Sequence, residues 1–144
     1  MADLRELYQS VILDHSRSPR NFGPLDGASA EGSGHNPMCG DAVTVWVRMD
    51  GDTIADVHFA TPPGVGCAIS KASASLMTTA VRGKTREEAE SIFTRFHALV
   101  TDAHAPGDAS LGSLAALAGV SRFPIRVKCA TLAWHALRSA LGTA

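Results

Sequence analysis

Three cysteines and one aspartate are the residues of this chain best suited to metal or sulfur chemistry. Cys39 and Asp41 are two residues apart between Pro37 and the strand-like stretch that follows, and the other two cysteines are Cys67 and Cys129. Three thiolates and one carboxylate make four ligands, the number that tetrahedral zinc prefers. The cysteines are too far apart in sequence for a local zinc knuckle, so the fold would have to assemble such a site. Three inert core thiols are the alternative, and the residue types alone leave it open.

Composition restricts the classes of protein to which the chain can belong. It has 144 residues, of which 45% are hydrophobic and 19% charged, with a formal net charge of −1. This length favours a single domain over residues 1–144, and the charge argues against nucleic acid or an anionic membrane as a partner. No apolar run approaches the roughly 20 residues of a membrane helix, and the first residues lack a signal-peptide pattern. We therefore expect a cytoplasmic protein.

A β-hairpin should hold Cys39 and Asp41. Apolar residues alternate with polar ones over 42–49, which predicts a strand, and the Asp50-Gly51 pair predicts a type I′ turn. A partner strand is predicted over 52–60 and returns the chain to the edge of the sheet where Asp41 begins the first strand. Residues 25–38 carry only a weak pattern for a short edge strand.

The remaining elements are predicted to be helices. A first helix is expected from a cap at Asp3, with Glu6 three residues later, to the Pro-rich stretch 18–24. A second is expected over 68–81, with Cys67 at the end where the helix dipole favours a thiolate.

Three further helical segments are predicted in the second half of the chain. Thr85 and Glu88 have the spacing of a capping box. Apolar residues at 111, 114, 117 and 120 predict a short helix that ends near Gly119. A last helix has Pro124 in its first turn and Cys129 at the head of its apolar face.

Cations are expected near these ligands, because three thiolates and a carboxylate leave a zinc site with a formal negative charge. Arg126 lies three residues before Cys129 on the same helix face, and we expect it to compensate this charge. Lys71 is interpreted as a solvated charge.

Five segments of the chain together resemble one known family. They are Ile12-Leu13-Asp14-His15, Ser18-Pro19-Arg20-Asn21, Asn36-Pro37-Met38-Cys39-Gly40-Asp41, Gly64-Val65-Gly66-Cys67-Ala68-Ile69-Ser70 and Phe123-Pro124-Ile125-Arg126-Val127-Lys128-Cys129-Ala130. This pattern resembles the IscU/NifU-N-terminal family of iron–sulfur cluster assembly proteins over nearly the whole chain. It looks most like the SufU branch, because Lys128 stands where the IscU branch has a ligating histidine. An extra stretch over roughly 84–110 is also typical of that branch.

The resemblance implies a fold, a metal site and a role. The fold would be α+β, with a small antiparallel sheet of about three strands packed against several helices. Zinc would be bound by Cys39, Asp41, Cys67 and Cys129. Cys39 would accept sulfur from the persulfide of a pyridoxal-phosphate-dependent cysteine desulfurase of the SufS type, for downstream iron–sulfur assembly machinery. The chain would then be a zinc-dependent sulfurtransferase, although whether it counts as an enzyme in its own right stays open.

Two alternatives remain from the sequence. The same residues could hold a [2Fe–2S] or [4Fe–4S] cluster in an assembly scaffold, or the chain could be a structural zinc domain that docks on a partner. A cysteine hydrolase is disfavoured, because His135 lies on a different face of the last helix from Cys129.

Overall fold

The chain folds into one small sheet and a set of helices. The computed structural model describes residues 4–37, 40–102 and 109–142, so the predicted helix cap at Asp3 lies outside it. Its elements in chain order are α1 (Leu4–Arg17), β1 (Ala30–Asn36), β2 (Asp41–Asp50), β3 (Thr53–Ala60), α2 (Ala68–Val81), α3 (Arg86–Thr101), a 3₁₀ segment (Ala109–Arg122) and α4 (Pro124–Leu141). The predicted α+β class is confirmed.

The sheet is antiparallel, in the order β1-β2-β3. The alternation that predicted β2 is confirmed, because Val43, Val45 and Val47 are buried while the residues between them are only partly covered. Both α4 and α2 pack on the sheet. The valine face therefore supplies the sheet's half of the core.

The turn between β2 and β3 differs from the predicted type I′. Asp50 pairs with Thr53, so the two central residues are Gly51 and Asp52. Gly51 has φ +61 whereas Asp52 is not among the residues with positive φ. Positive φ at the first central position alone is the arrangement of a type II′ turn, and a register shift between Arg48 and Met49 accompanies it.

The edge strand β1 is longer than its weak pattern indicated. Its inward positions include Gly32 and Gly34, which carry no apolar signal. A Cβ added at Gly32 would lie 2.1 Å from the carbonyl oxygen of Ala136 in α4, and one at Gly34 would lie 2.9 Å from a Leu132 side-chain carbon. Glycine therefore lets α4 approach this strand closely.

The short helix predicted from apolar residues at every third position is present as a 3₁₀ helix, and it extends beyond the predicted end near Gly119. Leu111, Leu114, Leu117 and Val120 are buried along it. Their spacing matches three residues per turn. The segment continues to Arg122, with a kink at Gly112 where φ is 56.

The capping box of α3 is confirmed. The Thr85 side chain accepts from the Glu88 backbone N–H, and the Glu88 side chain accepts from the Thr85 N–H at 3.0 Å. These backbone and side-chain hydrogen bonds with Thr85 hold the pKa of Glu88 below its usual value.

Farther along α3, Phe96 stacks on Trp134 of α4 with ring centroids 5.1 Å apart. Within the described ranges, no helix is long and apolar enough to cross a membrane.

Candidate metal centre

Three of the four predicted ligands meet at one edge of the sheet. One donor atom each from Asp41, Cys67 and Cys129 lies within 4.8 Å of the others. The three residues belong to β2, the start of α2 and the second turn of α4, so the tertiary fold brings them together.

Asp41 is placed by the hairpin of β1 and β2. It is the first residue of β2 and pairs with Asn36 at the end of β1. Its exposure is only 3%, and Asn36 is also buried. A carboxylate in such a place needs compensating hydrogen bonds or a cation. Its position thus favours a role as a ligand over a solvated surface charge.

Cys67 is the N-cap residue of α2, as the sequence predicted. The loop that brings it back from β3 contains Gly64 and Gly66, both with positive φ. The Cys67 backbone N–H donates to Asp41 Oδ1 at 3.2 Å, and its Sγ lies 4.0 Å from Asp41 Oδ2. The start of α2 is therefore tied directly to the carboxylate.

Cys129 faces the core from α4, and 1% of its surface is exposed. Its Sγ lies 3.9 Å from the carbonyl oxygen of Ile125, one turn earlier. The predicted placement at the head of the apolar face is confirmed. Burial alone would also suit an inert thiol, so the proximity of Asp41 and Cys67 is what singles it out.

The donor set of Asp41, Cys67 and Cys129 fits a zinc ion. With Zn–S near 2.3 Å and Zn–O near 2.1 Å, tetrahedral ligands lie about 3.5–3.8 Å from one another. The donor atoms of these three residues lie within 4.8 Å of one another, so a small inward shift would bring them to these separations. Two thiols and a carboxylate also suit this ion chemically, since zinc takes both sulfur and oxygen ligands.

Cys39, the fourth predicted ligand, lies outside the described residues. The backbone beside it is defined: Gly40 has φ +74, and its N–H donates to the carbonyl oxygen of Asn36 at 2.9 Å. Cys39 is two residues from Asp41 in sequence, a separation that covalent geometry limits to about 7 Å between Cα atoms. Its role as a ligand stays a prediction.

Of the two cations considered for the site, Lys71 is less exposed than the sequence suggested. Arg126 is exposed, and its charge-compensating role stays a prediction. Lys71, interpreted from the sequence as a solvated charge, is only partly exposed. A Cβ added at Gly66, the residue before Cys67, would lie 3.6 Å from Lys71 Cε. The lysine stem therefore covers the loop that carries Cys67.

Two hydroxyl groups around the site were missed by sequence reasoning. Ser70 Oγ donates to the carbonyl oxygen of Cys67 at 3.1 Å, and Ser73 Oγ donates to that of Ala130 at 2.5 Å. Both serines are buried. The run of small residues in α2 was interpreted only as a means of close packing, and the spacing of hydroxyl groups within it gave no separate signal.

Comparison with known proteins places the chain in a family. The model of the NifU-like N terminal domain matches residues 7–142. The "Iron-sulfur cluster assembly scaffold protein IscU" of Streptococcus pyogenes serotype M1 is 45% identical, with 98% of this chain and 86% of the relative covered. The "Zinc-dependent sulfurtransferase SufU" of Bacillus subtilis is 43% identical, with 94% and 90% covered.

A solved structure shares the same fold. It is that of a protein described as a putative iron–sulfur cluster assembly scaffold for the SUF system, from Fervidobacterium islandicum AW-1. The TM-score is 0.83 at 33% identity, with 95% of this chain and 98% of that chain covered. The family match over almost the entire sequence and the agreement in fold lead to one conclusion: this chain belongs to the family of NifU-like N-terminal domains.

Proposed function

We propose that this chain is an iron–sulfur cluster assembly protein of the IscU/SufU type that acts as a zinc-dependent sulfurtransferase. It would accept persulfide sulfur on Cys39 from a pyridoxal-phosphate-dependent cysteine desulfurase, of the SufS type, and pass it to downstream assembly machinery. Zinc would be held by Cys39, Asp41, Cys67 and Cys129.

One observation carries the proposal: the donor atoms of Asp41, Cys67 and Cys129 lie within 4.8 Å of one another. Asp41 and Cys129 are almost fully buried. A buried carboxylate beside two thiols does not help to stabilise a core, because apolar residues would pack there at a lower cost in free energy. A bound cation accounts for the whole arrangement.

The chemistry assigned to Cys39 is thiol–persulfide exchange. Its thiolate attacks the outer sulfur of the donor persulfide, a new S–S bond forms on Cys39, and the donor cysteine leaves as a thiolate. No net oxidation occurs. Bound zinc would keep the attacking thiol deprotonated and protected until the donor arrives.

The scaffold remains the second candidate function. The streptococcal relative that is 45% identical bears the name of a scaffold, and the same donors suit an iron–sulfur cluster. Lys128 weighs towards transfer, because the side chain before Cys129 is an exposed lysine and not a histidine ligand. The 43% identical relative named as a sulfurtransferase supports the same choice.

Replacement of Cys39 tests the proposal. The desulfurase would be loaded with cysteine, mixed with the chain, and the mass gained by the chain measured under non-reducing conditions. Wild type should gain one sulfur atom per chain and Cys39→Ser none. Full transfer to Cys39→Ser would contradict the assignment of the acceptor.

Cys129→Ser is the matched control, since it also removes one predicted zinc ligand but leaves Cys39. We expect this variant to bind zinc weakly but to gain sulfur once excess zinc restores occupancy of the site, whereas Cys39→Ser should gain none at any zinc concentration. Metal content separates the two functions: a colourless zinc protein supports transfer, whereas a coloured protein that donates its cluster supports the scaffold.

A further inference from the structure

We propose that Ser73 is a positioning residue that sets the distance between the thiols of Cys67 and Cys129. The inference rests on the proposed function in that these thiols are taken as ligands. Ser73 donates its hydrogen bond to a backbone carbonyl oxygen and acts through the packing of two helices.

Ser73 joins the two helices that carry the thiols. It lies six residues after Cys67 in α2, and its Oγ donates to the carbonyl oxygen of Ala130, the residue after Cys129 in α4. The hydrogen bond is 2.5 Å long, and Ser73 and Ala130 are both 0% exposed. The bond therefore fixes α4 against α2 immediately beside one ligand.

The short side chain makes this bond a constraint on distance. A serine hydroxyl reaches only about one carbon–oxygen bond beyond Cβ, so the two backbones must approach closely for the bond to form. Ala72 and Ala74 on either side permit that approach. Water cannot reach a buried hydroxyl, so an increase in the separation of α2 and α4 would leave the Ser73 hydroxyl without a hydrogen-bond partner.

Ser75, two residues later in α2, shows that not every buried hydroxyl of this helix serves the site. Its Oγ accepts from the Arg20 backbone N–H at 2.8 Å and shares a hydrogen bond with His15 Nδ1 at 2.7 Å. Ser75 is also 0% exposed, but it faces α1 and the segment after it. It is thus a matched control for Ser73.

Zinc affinity is the first test, measured by competition with a chromogenic chelator on the full chain. Ser73→Ala should weaken zinc binding by about 10-fold, the lower range for residues that orient metal ligands. Ser75→Ala should lower Tm by about as much as Ser73→Ala does but leave zinc affinity within about twofold. The hydrogen-bond partners of Ser75 belong to α1 and the segment after it, and neither carries a thiol. Equal zinc affinities in the two variants would overturn the proposal.

A test without zinc separates this inference from the proposed function. Phenylarsine oxide binds two nearby thiols and releases one water, so its affinity for metal-free protein with Cys39→Ser reports the spacing of Cys67 and Cys129. Adding Ser73→Ala should weaken its binding several-fold. If sulfur transfer fails but this loss is found, only the proposed function falls. If binding is unchanged, or the parent protein does not bind the arsenical, the positioning role falls.

Ser73→Thr guards against a folding defect in the alanine variant. It retains the hydroxyl but adds a methyl group to a tight contact, so Tm should fall while zinc affinity stays within about threefold of wild type. A loss of zinc affinity as large as that of Ser73→Ala would show that the hydroxyl is not the determinant.

Discussion

The two ends of the sheet are held by different kinds of interaction. At the far end, backbone groups pair directly: the Ile54 N–H donates to the carbonyl oxygen of Lys84, and the Gly83 N–H donates to that of Ile54, each at 2.8 Å. At the metal end, the Asp41 carboxylate and the Ser73 hydroxyl make side-chain connections between elements, in addition to backbone pairs such as that of Gly40 with Asn36.

The difference between the two ends fits a domain that keeps its fold while one of its metal ligands is exchanged. Backbone pairs cannot be exchanged without unfolding the elements that make them. Side-chain donors around a metal can change partners, and exchange of one ligand is what the proposed sulfur transfer requires. The proposed ligand exchange therefore lies at the end of the sheet where side-chain donors add to the backbone connections.

Close packing of β1 on α4 links the two ends, and Gly32→Ala should break it. The added Cβ would lie 2.1 Å from the Ala136 carbonyl oxygen and 2.7 Å from the Ala140 nitrogen, both backbone atoms. We expect a loss of about 3 kcal/mol or more in unfolding free energy, measured by urea denaturation. Gly119→Ala, at an exposed position where nothing lies within 4 Å and φ is not positive, controls for the loss of a glycine. A loss no greater than that of Gly119→Ala would contradict the packing argument.

Removal of the carboxylate should affect only the metal end. Asp41→Asn retains the size of the side chain and an acceptor for the Cys67 N–H but loses the anionic ligand. Zinc affinity should fall by at least about 100-fold, more than is typical for a residue that only orients a ligand. Asp52→Asn at the far end is the control and should leave zinc affinity unchanged. Zinc binding by Asp41→Asn within tenfold of wild type would remove Asp41 from the ligand set.

Loss of one far-end connection should lower stability and spare the metal. Arg86 bonds to Asp52 at 3.1 Å and donates from Nε to the Leu141 carbonyl oxygen at 3.2 Å. Arg86→Ala should cost about 1 kcal/mol, because both contacts are partly exposed. Urea denaturation measures the loss, and chelator competition should show unchanged zinc affinity. A weaker zinc site would mean that the two ends are coupled.

The smallest predicted effect concerns pH and the contact of α1 with α2. Burial, with Arg20 nearby, lowers the pKa of His15, although Asp14 opposes the shift. Folded protein thus binds fewer protons than unfolded protein below about pH 6.5, so stability falls as the pH drops through that range. The Tm of metal-free protein should decrease from pH 7 to pH 5, and His15→Gln should make the decrease shallower. An unchanged slope would exclude His15 as a contributor.

The sequence predicted elements whose signals are local. The β2 alternation and the Thr85–Glu88 capping box are confirmed because each depends on neighbours a few residues apart. The length of β1 was not predictable, because glycines give no strand signal in the sequence. Their reason for being there, the close approach of α4 to Gly32 and Gly34, is visible only in the structure. The turn type was wrong because the register shift beside Met49 decides which residues are central.

The residues of the candidate site likewise include some that the sequence indicated and one that it could not. Cysteine and aspartate types drew attention to Asp41, Cys67 and Cys129, and the resemblance supplied their grouping as ligands. The structure brings their donor atoms within 4.8 Å of one another, and their role as ligands stays a prediction. Ser73 could not be found from the sequence, because its significance lies in a partner carbonyl on a helix far along the chain.

All three described donors stand at or near the beginning of an element: Asp41 opens β2, Cys67 caps α2, and Cys129 lies in the early turns of α4. From each donor the chain therefore runs away from the site along β2, α2 or α4. The longest stretch without a donor, α3 and the 3₁₀ segment, follows Val81. The buried side chains of α3 and the 3₁₀ segment, such as Phe96 and Leu114, belong to the core that supports α4, so these elements must be kept. An insertion at an exposed position between these buried side chains in sequence and away from the ligands, such as Gly112 or Ser113, would leave that core intact. A protein engineer could accordingly attach a reporter or an affinity module there.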